Sequence, residues 1–246
     1  KQFVYDRLLR KVRAVIGIAP HVCAAARAVV PPGIPVVYIP FGLDPRRFTA
    51  PFDRSVLAAG LGVPAASRLV VMTARLVPQK NHALLIRVAA RVVSIMGDCH
   101  FLLAGEGPCR PDLERIIRER NLGRNVHLLG NRLDADRLVQ AADVCVLTSF
   151  SEGLPLSVQE YLAAGRPVVA AITPGVDELV RDGVNGYLVA PADEAAFADR
   201  IVALLRDPDS AARLGAAGLA IAEEAFGLDR MIERHAALYR EVAGRE

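Results

Sequence analysis

Residues 144–171 of this chain read VCVLTSFSEGLPLSVQEYLAAGRPVVAA. Two apolar runs of strand length, Val144–Thr148 and Pro167–Ala171, enclose a helical pattern at Pro155–Ala164. Both runs are rich in apolar, β-branched residues without polar alternation, which is typical of strands buried on both faces of a parallel sheet. The stretch therefore predicts one strand–helix–strand unit of such a sheet.

The same alternation continues on both sides of this stretch. Further strands are predicted at Leu69–Thr73, His100–Ala104, Val126–Leu129 and Gly186–Val189. Further helices are predicted at Asn81–Met96, Pro111–Arg120, Asp134–Ala142 and Val176–Arg181, and in three segments from Asp193 to Arg245 that break near Pro208 and Gly227. Right-handed crossovers between such strands give an α/β fold with a doubly wound, Rossmann-like parallel sheet.

The segment before this domain has a different organisation. Short strands at 14–19 and 35–39 flank a helical stretch at His21–Val30, and a proline-rich connector follows at Pro40–Asp53. Because turn residues concentrate in that connector, it is the best domain boundary in the sequence. The chain does not begin with Met, so we expect it to be a piece of a longer protein.

Composition and charge exclude several classes of protein. The chain has 246 residues, of which 52% are hydrophobic and 23% charged, so it can bury a core and is not a disordered chain. Its net charge of +3 provides no strong field for a nucleic-acid partner. No apolar run reaches the ~18–20 residues of a membrane-spanning helix. Lys1–Arg10 lacks the small-residue cleavage site of a signal peptide.

The cysteines form no recognisable framework. Cys23, Cys99, Cys109 and Cys145 contain no C-x-x-C pair, and none has a histidine at metal-ligand spacing. We expect reduced thiols rather than disulfides or a zinc site.

The loop at 74–80 follows a predicted strand and carries two cations, Arg75 and Lys80. Ligands of doubly wound sheets bind beyond the carboxyl ends of the strands, so this loop lies at the functional edge. A guanidinium fork and a compact ammonium can converge on a diphosphate. Lys80 is also the only lysine after residue 11. The alternative is two solvated surface charges.

The loop at 149–154 leads directly into a helix. Gly153 and Pro155 place the helix N-terminus just beyond a strand, where unpaired N–H groups favour an anion. Glu152 precedes the helix, and Glu160 lies inside it on the face of Leu156 and the small residues that follow. A carboxylate on such a face needs donors, which a pair of sugar hydroxyls would supply. Alternatively, Glu160 is an exposed helix residue and Glu152 a charge favoured near a helix start.

Other motifs carry less chemistry. The loop at 105–110 lacks the third glycine of a dinucleotide fingerprint, so its glycines indicate a sharp turn and close backbone approach to a ligand. Asp134-Ala-Asp136 opens a helix, where Asp134 is expected to act as an N-cap. Asp207-Pro-Asp209 lies far from the strand ends. We expect no metal site at either triplet, and we expect the five histidines to be hydrogen-bonded in the core or located at the surface.

The two glutamates form an E-x7-E motif embedded in SEGLPLSVQEYLAAGRPVVA. Around it stand RLVPQKN (75–81), LLAGEGP (102–108), VHLLGNR (126–132) and GVDELVRDGVNGYLV (175–189). In this order and spacing, residues 66–206 resemble the donor-binding domain of retaining GT-B glycosyltransferases, specifically the GT4-like group 1 family that includes bacterial enzymes.

The resemblance implies roles for individual residues. Arg75 and Lys80 would grip the diphosphate of the donor and stabilise its charge as it leaves, in place of a divalent metal. Glu152 would hold hydroxyls of the donor sugar. Arg75, Lys80 and Glu152 are the three residues with an implied catalytic role. Glu160 would bind the ribose hydroxyls.

The resemblance also implies backbone contacts with the donor. Backbone around Asn131 and Arg132 would meet the base edge, and Gly105 would let the chain approach the nucleotide. The remaining residues implied in donor binding shape or supply the phosphate-binding helix start: Gly153, Leu154, Pro155 and Leu156. Of these, the N–H groups of Leu154 and Leu156 would bind phosphate, since Pro155 has none.

The implied reaction is sugar transfer, with retention and without metal or other cofactor, from a UDP- or GDP-sugar to a glycan or lipid-linked acceptor. Residues 1–50 would be the end of an N-terminal acceptor domain and its hinge, 51–227 the nucleotide-sugar domain, and 228–246 a helix crossing back. Most of the N-terminal domain would be missing, so we expect the fragment alone to be inactive.

Other expectations follow from the family as a whole. We expect a cytoplasmic protein involved in polysaccharide biosynthesis, peripheral at the inner membrane face in its full-length form. The alternatives are a nucleotide-binding module without turnover and a sugar-nucleotide epimerase of the same fold.

Overall fold

The computed structural model describes residues 11–48 and 50–244. The predicted lack of a signal peptide concerns Lys1–Arg10 and lies outside the described residues. The described residues form two compact units, one of 11–44 with 225–244 and the other of 45–48 with 50–224. The domain limits expected from the sequence, at 50/51 and 227/228, stay predictions.

The larger unit contains a six-stranded sheet in the order β5-β4-β3-β6-β7-β8. Its strands are β3 Arg68–Thr73, β4 Cys99–Ala104, β5 Val126–Gly130, β6 Val144–Leu147, β7 Val168–Ala171 and β8 Gly186–Val189. All neighbouring strands pair in parallel. This order is characteristic of a doubly wound sheet, which confirms the predicted fold class.

Helices connect these strands. Those of the larger unit are α2 Arg54–Gly60, α3 His82–Ile95, α4 Arg110–Glu119, α5 Ala135–Ala141, α6 Leu156–Ala163, α7 Glu194–Arg206 and α8 Pro208–Ala225. Two short 3₁₀ turns, Pro45–Phe48 and Pro78–Lys80, and the helix α2 are additional to the elements expected from the sequence. Asp53 caps α2 by accepting a hydrogen bond from the Ser55 N–H at 2.8 Å. The other helices confirm the predicted ones to within a few residues.

The centre of the sheet is fully buried. Every residue of β6 and β7 is buried, and Cys145 pairs with Val168 in their register. Helices cover both faces of a doubly wound parallel sheet, so the strands read as continuous apolar runs rather than alternating ones. This burial explains why the sequence pattern identifies the strands.

The helix predicted at Val176–Arg181 is wrong, because the chain forms successive turns there. The buried side chain of Asn185 binds two backbone groups of this segment, one of which, the Arg181 N–H, a helix would have used. Its Oδ1 accepts from the Arg181 N–H at 2.7 Å, and its amide donates to the Leu179 carbonyl at 2.9 Å. These bonds from outside the segment compete with helical pairing.

The smaller unit contains the parallel strands β1 Val15–Gly17 and β2 Val36–Tyr38, with the helices α1 Pro20–Arg27 and α9 Leu228–Ala243. Leu43 joins its two chain segments. The Leu43 N–H donates to the Phe226 carbonyl at 2.7 Å, and the Leu228 N–H donates to the Leu43 carbonyl at 3.1 Å.

A buried tyrosine ties α6 to the end of β3. Tyr161 is fully buried, and its hydroxyl accepts a hydrogen bond from the Thr73 N–H at 2.7 Å. Burial raises the pKa of this phenol, so it remains protonated. The contact fixes the point at which β3 gives way to the loop at 74–80.

Across the described part of the chain, no helix has both the length and the apolar character needed to cross a bilayer.

Candidate functional site

The candidate site lies where the strand order of the sheet reverses. β3 and β6 are neighbours, with Val70 opposite Val144. After β3 the chain continues through α3 to β4 on one side of this pair, and after β6 it continues through α6 to β7 on the other side. A crevice forms beyond the carboxyl ends of two such strands, and ligands of doubly wound folds bind there. The loops at 74–80 and 148–155 follow β3 and β6 and meet at this point, and the place where they meet is called the crevice below.

Lys80 and Glu152 form an ion pair across this crevice. Nζ of Lys80 lies 2.5 Å from Oε1 of Glu152, and the two side chains are only 16% and 7% exposed. The predicted phosphate-binding lysine and the predicted sugar-binding glutamate are therefore brought together. In this state the positive charge of Lys80 is balanced by Glu152.

Hydrogen bonds join the two loops around this ion pair. The Phe150 N–H donates to the Gln79 carbonyl at 2.8 Å, and the Gln79 amide donates to the Ser151 carbonyl at 2.6 Å. The buried Thr148 hydroxyl donates to the Lys80 carbonyl at 3.0 Å. Because both loops are held by hydrogen bonds to backbone carbonyls, the ion pair has a fixed support.

Arg75 lies directly beyond β3, and its side chain is exposed. Within residues 11–48 and 50–244 its guanidinium has no hydrogen-bond or ion-pair partner. The group formed by Arg75, Lys80 and Glu152 thus carries a net charge of +1 and keeps one fork-shaped cation for an anion.

Gly105 makes a close backbone contact within the protein, while its predicted approach to the nucleotide stays a prediction. Gly105 has φ +144°, and a Cβ there would lie 2.0 Å from the Ala74 carbonyl oxygen. Its N–H donates to the Gly130 carbonyl at 2.8 Å. Glycine is therefore required for the loop at 105–109 to pass between the loop at 74–80 and the end of β5.

The predicted base-binding residues lie in the turn after β5, where Asn131 is exposed. Arg132 forms two hydrogen bonds to the carboxylate of Asp134, at 2.7 and 2.8 Å. Asp134 does occupy the N-cap position of α5, but the prediction that its side chain caps the helix is wrong, since no such bond exists. The nearby guanidinium engages both carboxylate oxygens instead.

The start of α6 fits the predicted anion site in its backbone. Pro155 occupies the N-cap position, and no side chain caps the helix. The first intrahelical bond runs from the Val158 N–H to the Pro155 carbonyl, so the N–H groups of Leu156 and Ser157 precede it. Gly153 is half-buried, Leu154 is buried and Leu156 is exposed. These N–H groups are available to an anion at the crevice.

Glu160 is half-buried and forms no hydrogen bond within the described residues. Burial raises the pKa of this carboxyl, Arg47 opposes that rise, and Asp136 adds to it. Arg47 belongs to the 3₁₀ turn at Pro45–Phe48, which the buried Gln140 holds by donating to the Arg47 carbonyl at 3.1 Å. Arg47 was not predicted as a site residue, since no local pattern in the sequence links it to α6.

Two neighbours of the site differ from expectation. His82 is buried and neither ring nitrogen has a partner, so the expectation that every histidine is hydrogen-bonded or at the surface is wrong for it. Burial, reinforced by Lys80, lowers the pKa of His82 to about 4, so its ring is neutral. Arg110 was also not predicted as a residue of the site. It forms ion pairs with Glu106 and Glu114 at i,i+4 spacing.

The remaining candidate groups lie apart from the crevice. Asp207 precedes α8, and its carboxylate accepts a hydrogen bond from the Ser210 N–H at 3.0 Å. The four cysteines are free thiols, and Cys23, Cys99 and Cys145 are buried. No cluster of three or more metal-ligating side chains occurs among the residues that the structure describes.

Two curated relatives show what the chain is similar to. The α-D-kanosaminyltransferase of Streptomyces kanamyceticus is 30% identical over 176 residues, which cover 71% of this chain and 46% of that protein. The D-inositol 3-phosphate glycosyltransferase of Mycolicibacterium paratuberculosis is 33% identical over 213 residues, which cover 85% of this chain and 48% of that protein. The chain thus spans about half the length of these relatives.

The comparison of structures agrees with that of sequences. The structure of Anabaena Alr3699/HepE in complex with UDP has a TM-score of 0.88 and 27% identity, with 98% of this chain and 67% of that chain covered. A sequence model of the family described as glycosyl transferases group 1 matches residues 67–207, which include both crevice loops, the turn after β5 and α6. Because that match extends over more than half of the 246 residues, the chain belongs to the glycosyl transferases group 1 family.

Proposed function

We propose that this chain carries the donor half of a glycosyltransferase that takes its sugar from a nucleoside diphosphate. The observation that carries the proposal is the placement of Arg75, Lys80 and Glu152 at the point where the strand order reverses, beside the uncapped start of α6. Cations and helix N–H groups suit a diphosphate, and a carboxylate beside them suits the hydroxyls of the attached sugar.

The diphosphate would lie between Arg75, Lys80 and the N–H groups of Leu154 and Leu156. As the bond between the sugar carbon and the phosphate oxygen breaks, negative charge gathers on the leaving diphosphate. Fixed cations and N–H dipoles at that oxygen lower the barrier, each by about 3 kcal/mol. The ion pair with Glu152 would hold Lys80 in place before the donor arrives.

The two glutamates would recognise the two sugars of the donor. Glu152 would accept hydrogen bonds from hydroxyls of the transferred sugar, next to the diphosphate cations. Glu160 forms no hydrogen bond within the described residues, so its carboxylate has acceptor capacity for a pair of ribose hydroxyls. Backbone groups around Asn131 and Arg132 would meet the edge of the base.

A uridine diphosphate sugar is the donor that we propose to test before GDP-sugars. The similar Anabaena Alr3699/HepE has been described in complex with UDP and with UDP-glucose. The crevice loops and the turn after β5 lie in the region that matches the family.

We propose that the reaction retains configuration and needs no divalent metal. The side chain of Asp134 is engaged by Arg132 and that of Asp207 by a helix N–H, which leaves Arg75 and Lys80 as the groups to balance the diphosphate. Since we assign no nucleophile of the protein, retention requires the acceptor to attack from the face that the diphosphate leaves. The acceptor, a glycan or lipid-linked sugar, would need further parts of the protein.

The first prediction concerns the diphosphate cations. Arg75→Ala and Lys80→Gln should each weaken UDP binding about tenfold to a hundredfold, since a hydrogen bond between charged groups contributes about 1.5–3 kcal/mol. Calorimetric titration measures the affinity, and thermal unfolding checks that each variant folds. The matched control is Arg124→Ala. Arg124 is exposed and lies just before β5, at the end of the strand away from the crevice, so this variant should bind UDP as the parent does. Folded Arg75 and Lys80 variants with parental affinity would contradict the proposal.

The second prediction separates the two roles of Glu152. Glu152→Gln releases Lys80 and removes a negative charge from the crevice, so UDP should bind about threefold to tenfold more tightly. UDP-glucose should gain less or nothing, because the amide accepts sugar hydroxyls less strongly than the carboxylate does. Parallel titrations with the two ligands measure this difference. An equal change for both ligands would argue against a sugar contact at Glu152.

The third prediction concerns pH. Burial raises the pKa of Glu160, so its carboxylate gains a proton at a higher pH than an ordinary glutamate. Ribose hydroxyls bind best to the ionised form. Affinity that depends on Glu160 should therefore be present near neutral pH and be lost as the pH falls through the raised pKa. The ratio of UDP affinities between the parent and Glu160→Gln, measured from pH 5 to 8, should shrink towards acid.

The variant isolates this effect because protonation of the diphosphate itself is common to both proteins. A ratio that stays constant over the whole range would contradict the role proposed for Glu160.

A further inference from the structure

Arg110 stands at the start of α4 and grips Glu106 with two nitrogens. Its Nη2 lies 2.7 Å and its Nε 3.0 Å from Oε1 of Glu106, while Nη1 donates to Glu114 at 3.0 Å. Nη2 also donates a hydrogen bond to the Leu128 carbonyl of β5, at 3.3 Å. One guanidinium thus connects the loop at 105–109, its own helix and the edge strand.

The Glu106 carboxylate lies close to Gly130, the last residue of β5. A Cβ built on Gly130 would lie 3.1 Å from Oε1 of Glu106 and 3.6 Å from Nη2 of Arg110, and Gly130 has φ +70°. The β4–β5 register shifts here, with Leu103 opposite Leu128 and Ala104 opposite Gly130. The bulged end of β5 therefore lies against the Arg110–Glu106 pair as well as against its partner strand.

The same loop is tied to the diphosphate side of the crevice. The Leu76 N–H donates to the Glu106 carbonyl at 2.9 Å, and the Cys109 N–H donates to the Leu76 carbonyl at 3.0 Å. A Cβ on Gly107 would lie 2.3 Å from that same Leu76 oxygen. The loop at 105–109 is therefore fixed on its phosphate-facing side by backbone bonds alone. On its β5-facing side, the side chains of Glu106 and Arg110 add to the backbone bond between Gly105 and Gly130.

From this asymmetry we infer that Arg110 is a positioning residue for base selection: through Glu106 it sets the turn at 130–132, whose backbone would read the base. The inference rests on the proposed function and deepens it. Arg110 touches no part of the donor in this account. Its loss would leave the diphosphate contacts intact, because Leu76 is held by backbone bonds that do not involve the guanidinium.

The test compares Arg110→Met with Arg115→Met in the full chain. Arg115 lies on the same helix and also pairs with two acids, Glu119 at 2.9 Å and Asp112 at 3.7 Å, but its side chain is exposed. Each variant and the parent are titrated with UDP, GDP, ADP and CDP. The four probes share the ribose and the diphosphate and differ only in the base.

We expect Arg110→Met to weaken the best-bound nucleotide about threefold to tenfold and to leave the weaker ones nearly unchanged, so that base discrimination narrows. Arg115→Met should keep the parental ratios. Arg110→Lys keeps the charge but loses the planar guanidinium. It should reduce the differences in affinity among the four nucleotides, but by less than Arg110→Met does.

Three results overturn the inference alone. The first is unchanged affinities in Arg110→Met, the second is an equal loss for all four nucleotides, which indicates general destabilisation, and the third is a parent that binds nucleotides without discrimination. A parent that binds none of the four overturns the proposed function and this inference with it.

Discussion

The reversal of strand order between β3 and β6 is the constraint on which the rest of the structure depends. Parallel strands end at the same edge of a sheet, and the reversal separates the helices that follow so that a crevice opens. Residues far apart in the chain, such as Lys80 and Glu152, meet there because each follows one of these two strands. The donor site that we propose follows from topology before any side chain is considered.

The ion pair at this crevice is better understood as preparation for a ligand than as a source of stability. Taking two charges out of water costs free energy that their attraction recovers only in part, so a buried pair is a weak stabiliser. Lys80 and Glu152 are mostly buried, and the side chains of Gln79 and Thr148 hold the two loops by hydrogen bonds to backbone carbonyls. A donor that brings both a diphosphate and sugar hydroxyls offers each of them a new partner at the same time.

Much of the fold could be predicted from the sequence because its strands are buried on both faces. Runs such as those of β6 and β7 carry a signal that needs no knowledge of distant contacts. The loops after the strands could be identified for the same reason, and with them Arg75, Lys80 and Glu152. The family resemblance then supplied roles that local patterns leave open.

What could not be predicted depends on contacts between distant segments. Asn185 binds backbone groups of Leu179 and Arg181 in a segment that forms turns instead of the predicted helix. Arg132 binds the carboxylate of Asp134, which therefore does not cap α5. The approach of Arg47 to Glu160 needs a 3₁₀ turn that packs on two helices. Arg110 sits in an i,i+4 pattern with Glu106 and Glu114 that was visible in the sequence, but its contact with β5 was not.

We propose that cations of the protein, rather than a divalent metal, hold the diphosphate of the donor. Titration of this chain with UDP in EDTA, repeated after addition of excess Mg²⁺, distinguishes the two. We expect UDP to bind in EDTA with an affinity that Mg²⁺ does not increase. Binding that appears only with Mg²⁺, or no binding under either condition, would show that the cations do not hold the diphosphate in this way.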